Sequence, residues 1–123
     1  MCRLKVLSVG LSALTTLRDA LMLRAHSKLA VVSNYWDLCS MSLQAEDFQI
    51  AVLNDPSSPR ELRRRVKYIR RTWPGAAIVL MGAGPEDLDP RLYDQRVAPR
   101  IGPADLLAVI DRLNGGAVVE PAA

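Results

Sequence analysis

The sequence has little of what most often holds metals or cross-links chains: two cysteines and one histidine among 123 residues. Cys2 and Cys39 are too few for a disulfide-stapled scaffold and are read as free thiols. His26 has no cysteine or second histidine at ligand spacing, so it is read as a surface residue, and no metal site is expected. Long apolar runs are missing too. The longest, such as Ala76 to Met81 (AAIVLM), fall far short of the roughly 18 residues that span a bilayer. The basic N-terminus runs into an apolar stretch that Ser8 and Ser12 interrupt, with no small-residue cleavage pattern after it, so a cytoplasmic protein without a membrane partner is expected. What is abundant is aliphatic. Half of the residues are hydrophobic against 24% charged, the aromatic share is only 5%, and the net charge is +3. That balance describes a globular chain of single-domain length, expected to fold over residues 1–116 and to end in a loose tail at 117–123.

Hydrophobic patterning divides the chain into alternating strands and helices. Lys5 to Val9 (KVLSV) is a short β-rich run, and Leu11 to Ala25 follows with Leu14, Leu17, Leu21 and Leu23 at roughly helical spacing. Leu29 to Asn34 (LAVVSN) predicts a second strand. A short helix over YWDLCSMSLQA then carries Trp36, Leu38, Met41 and Leu43, with Trp36 expected in the core. Phe48 to Asn54 (FQIAVLN) is apolar enough to be buried on both faces, as a central parallel strand must be. Pro59 opens a basic helix that ends near Trp73, before Pro74 and Gly75. Ala76 to Gly82 is a fourth strand, followed by a Gly- and Pro-rich crossover with room for only short helices. Arg96 to Ala98 is a candidate fifth strand, confined by Pro99 to an end or an edge, and Pro103 to Leu113 is a last helix stopped by Asn114, Gly115 and Gly116. The predicted architecture is a flavodoxin-like (βα)5 three-layer sandwich: a central five-stranded parallel sheet, helices on both faces, and a reduced fourth crossover helix. In such a sheet ligands bind outside the carboxyl ends of the strands, which directs attention to Gly10, Asn54 and Gly82.

FQIAVLN, RRTWPGAAIVLMGAG and the closing APRIGPADLLAVI resemble the receiver domains of two-component response regulators, over nearly the whole chain. The distance from Asn54 to Trp73-Pro74 is similar to that between the family's phosphoacceptor aspartate and the corresponding pair. The resemblance implies a signalling module in which a carboxylate takes up a phosphoryl group beside acidic residues that hold Mg²⁺. At the matching positions those groups are replaced. The acidic pair after the first strand falls on Gly10 and Leu11, and the phosphoacceptor falls on Asn54, whose amide is not a competent nucleophile. The hydroxyl residue after the fourth strand falls on Gly82, or on Met81 if the alignment shifts by one. The lysine before the proline falls on Ala98 or Pro99, with Arg100 nearby. The expectation is a stand-alone pseudo-receiver that needs no Mg²⁺ or other cofactor, catalyses nothing, and works in signal transduction by protein contacts. The family's usual contact surface maps to residues 88–113, which would meet a signalling protein or a second copy of the chain.

Two alternatives remain open at this point. Asp55 could serve as a phosphoacceptor in a divergent receiver, with Arg100 replacing the lysine. Strand alternation argues against this by pointing Asp55 away from the face that carries Asn54, and Asp before Pro also suits a turn or a helix N-terminus. The basic helix offers the second alternative. Its Leu62, Val66, Ile69 and Trp73 form an inward stripe, while Arg60, Arg64, Lys67 and Arg71 form a cationic one that could bind an acidic partner or nucleic acid. With no helix-turn-helix and little aromatic interleaving, nucleic acid is the less favoured of the two. MGAGPED lacks the pattern of a dinucleotide fingerprint or a P-loop, which argues against a nucleotide-dependent enzyme.

Overall fold

Five runs of β-branched and aliphatic residues pair side by side, all parallel, in the order β2-β1-β3-β4-β5. In this computed structural model the described residues are 4–10, 14–24, 27–33, 35–39, 46–54, 59–81, 91, 93–98 and 100–116. The strands are β1 (Leu4–Val9), β2 (Ser27–Val32), β3 (Ile50–Asn54), β4 (Ala77–Met81) and β5 (Gln95–Val97). The central position of β3 explains its composition. It pairs with β1 on one side and β4 on the other, and all five of its residues are buried. β2 and β5 are the edges, and β5 is only three residues long.

The helices are α1 (Leu14–Met22), α2 (Tyr35–Leu38), α3 (Pro59–Thr72) and α4 (Pro103–Asp111), with a wide turn at Arg112–Gly116 after α4. Side-chain alternation along the strands builds two cores. On one face Leu4, Val6, Ile50, Val52, Val79 and Met81 meet Leu17, Ala20 and Leu21 of α1 and Leu106 and Ile110 of α4. On the other, Leu7, Val9, Ala51, Leu53, Ile78 and Leu80 meet Leu38 of α2 and the Leu62, Val66, Ile69 and Trp73 stripe of α3. Helix, sheet and helix make the three layers expected from the sequence. Trp73 anchors the second core: its ring meets Phe48 edge-on at 5.1 Å and its indole N–H donates to the Glu46 carbonyl at 2.9 Å.

Several boundaries differ from expectation. β2 starts at Ser27, where the parallel register with Leu4 begins, and ends at Val32. Trp36 does not enter the core; it is 83% exposed. α2 is a single turn, and residues two apart on a helix lie about 200° apart, so burying Leu38 turns Trp36 outward. The same geometry corrects Leu23: with Leu21 facing the sheet, Leu23, just beyond the end of α1, is 63% exposed. Cys39 is a free thiol. Cys2, His26, Met41, Leu43, the crossover at 82–90 and the tail at 117–123 lie outside the described residues. No helix among the described residues is long and apolar enough to cross a membrane.

Candidate functional site

The carboxyl ends of β1 and β3 meet at the boundary of the α1 and α4 core, and two polar residues are buried there. Ser8 and Asn54 are 0% and 1% exposed, in strands otherwise filled with aliphatic side chains. Register explains the meeting. Ser8 lies opposite Val52, so Asn54, two residues further along β3, projects from the same face of the sheet. Its Nδ2 donates to Ser8 Oγ at 3.2 Å and to the Gly10 carbonyl at 3.4 Å. Ser8 Oγ donates in turn to that carbonyl at 3.1 Å. Asn54 Oδ1 is buried and has no hydrogen-bond partner among the described residues.

Gly10 closes this end of the sheet. Its N–H donates to the Val32 carbonyl at 2.8 Å, extending the β1–β2 ladder by one residue. Its φ of +107° lies in the region that side chains other than hydrogen rarely enter. A Cβ at this position would stand 2.7 Å from the Asn54 carbonyl oxygen and 2.9 Å from Asn54 Cβ. At Gly10, which the sequence resemblance matches to the start of an acidic pair, the space for a side chain is therefore taken by Asn54 of β3.

This arrangement bears directly on Mg²⁺. Octahedral Mg²⁺ sites are built on hard, mostly anionic oxygens. Among the described residues, the ends of β1, β3 and β4 contribute Gly10, Asn54 and Met81, which supply no carboxylate. No group of three or more His, Cys, Asp or Glu that could hold a metal occurs among the described residues. The residues described here do not fit a Mg²⁺ site. Of the other expected pocket residues, Ala98 is exposed just beyond β5, as is Arg100 after it. Leu11, Asp55, Gly82 and Pro99 lie outside the described residues. Ser8 was not singled out from sequence as a site residue; the signal was there, a lone hydroxyl inside the apolar run KVLSV.

A second concentration of polar groups lies on α3. Arg60, Arg64 and Lys67 of the expected cationic stripe line a groove of about 830 Å³, together with Arg63, Arg70 and Arg91. Arg71 does not join them; its guanidinium sits 5.9 Å from the centre of the Tyr68 ring. Arg91 and Asp94 lie beside the helix. Arg70 Nη2 donates to the Arg91 carbonyl at 3.3 Å and lies 3.8 Å from Asp94 Oδ2. Asp94 Oδ2 also accepts the Ile78 N–H at 2.7 Å, tying that segment to β4.

No family model and no curated protein matches the sequence. Solved structures do match the fold. A response regulator from Thermotoga maritima superposes with a TM-score of 0.77 at 13% identity, covering 93% of this chain and 99% of that one. The signal receiver domain of an HD domain-containing protein from Pseudomonas fluorescens gives 0.69 at 17% identity, over 99% and 94% of the two chains. A structure described as an adenylate cyclase from Rhodopirellula baltica gives 0.71 at 13% identity, over 98% and 96%. These identities speak for the fold and leave the chemistry to the residues at its strand ends. The chain has the fold of a response-regulator receiver domain.

Proposed function

We propose that the chain is a signalling module of the receiver type that does not undergo phosphotransfer and acts by binding a signalling protein or a second copy of itself. The observation that carries this reading is the contact between Gly10 and Asn54. A side chain at Gly10 would meet the Asn54 backbone, and Asn54, matched by the resemblance to the acceptor position, holds an amide whose N–H₂ is committed to Ser8 and Gly10. An amide nitrogen of this kind is not a nucleophile toward phosphorus, and no carboxylate stands at these strand ends among the described residues. Mg²⁺ therefore has no part in the reading, and neither has catalysis. A module that cannot be switched by phosphate can still present a fixed surface. The family resemblance favours residues 88–113, whose described part, 91, 93–98 and 100–113, includes the exposed Ala98, Arg100, Ala104 and Asp105.

The test is incubation with acetyl phosphate and Mg²⁺ followed by intact-mass measurement. The wild-type chain is expected to keep its mass, and so is Asn54→Asp, because restoring the carboxylate leaves the Gly10 side filled. An adduct on Asp55 of the wild type, or on the substituted position of Asn54→Asp, would overturn the proposal.

A further inference from the structure

The charge of this chain is unevenly placed. α3 carries seven of the 16 basic residues and one of the 13 acidic ones, so the helix bears +6 while the remaining chain bears −3. Along one flank of α3 the cations line the groove completed by Arg91, with Val66 and, as the one carboxylate among the described lining residues, Glu61. Five of the six cations are arginines, whose planar guanidinium pairs two-pronged with carboxylates and keeps its charge at any physiological pH.

We infer that this groove is a docking site for a short acidic peptide segment, rich in Asp and Glu, of a protein partner. Length and charge both select that occupant. The 14 residues of α3 span about 21 Å, which an extended segment of about six residues covers. A segment of that length lies wholly within the cationic zone. The charge outside α3 sums to −3, which does not favour a polynucleotide longer than the helix, and among the described residues no aromatic side chain lines the groove to stack against a base. The argument rests on the summed charge of the groove, whatever pairs its arginines make within the chain. It also stands apart from the phosphotransfer reading, so a phosphate adduct in the acetyl phosphate experiment would leave it untouched.

The experiment measures fluorescence anisotropy of a labelled Glu/Asp peptide of about six residues, with an oligodeoxynucleotide of equal charge as the second probe. The peptide is expected to bind at low ionic strength and to weaken steadily with added salt. Lys67→Glu lies in the groove and Arg71→Glu on the same helix outside it, so the two change the net charge equally. An about tenfold loss is expected for Lys67→Glu and less than about twofold for Arg71→Glu. Arg63→Glu provides a second groove variant, and thermal unfolding checks that all three keep the fold. Absence of peptide binding by the wild type, equal losses inside and outside the groove, or oligonucleotide binding as tight as that of the peptide would overturn the inference.

Discussion

Gly10 shows how one residue without a side chain can determine what a strand end is able to do. Its positive φ and its approach to Asn54 act together, since a methyl group there is opposed by both the backbone torsion and the neighbouring carbonyl. Gly10→Ala is accordingly expected to destabilise the fold by about 2–4 kcal/mol, combining a strained torsion with overpacking against a strand that cannot retreat. Urea unfolding of the variant beside wild type measures this, and a loss below about 1 kcal/mol would show that β3 yields more readily than its burial implies. Part of this site was legible beforehand. That Gly10 and Asn54 carry no carboxylate can be read directly from residue identity. The positive φ, the backbone contact and the Ser8 hydrogen bond arise from the β1–β3 register, which no local pattern encodes.

Among the elements, length decided how well sequence periodicity forecast packing. α3 runs for 14 residues, enough turns for a stripe to declare itself, and its inward Leu62, Val66 and Ile69 are buried, as is Trp73 just after it. α2 has one turn, so its amphipathic face could not be averaged out, and the position given to Trp36 belonged to Leu38. β5 was found within one residue despite its three-residue length because Pro99 and the following helix bracket it. The two tryptophans consequently report on opposite environments, with Trp36 83% exposed and Trp73 4% exposed. Acrylamide is expected to quench only the Trp36 component of native fluorescence, so Trp36→Phe should leave an emission that is blue-shifted and nearly unquenched. Trp73→Ala should cost about 3–5 kcal/mol by opening the core beneath α3. Quenching curves and chemical denaturation check the two halves of this prediction.

On the scale of the whole molecule, one carboxylate bridges two strands of the sheet. Glu46 lies 3.3 Å from both Lys5 of β1 and Lys28 of β2, at the approach to β3. Its hydrogen bond to Lys5, followed by that to Lys28, holds its pKa below the usual 4.5. A carboxyl group whose pKa is lower folded than unfolded stabilises the fold above its unfolded value, and that contribution is lost as the pH falls through the folded value. Wild type is therefore expected to lose more stability than Glu46→Gln between about pH 5 and pH 3. Urea unfolding at a series of pH values checks this, and parallel curves would show that the cluster contributes nothing. The Gly10 contact also limits which substitutions this end of the sheet accepts. Any side chain introduced at that position requires β3 to be displaced, and all five residues of β3 are buried. The contact therefore couples the ends of β1 and β3: a side chain at residue 10 is accommodated only together with a change in the strand beside it.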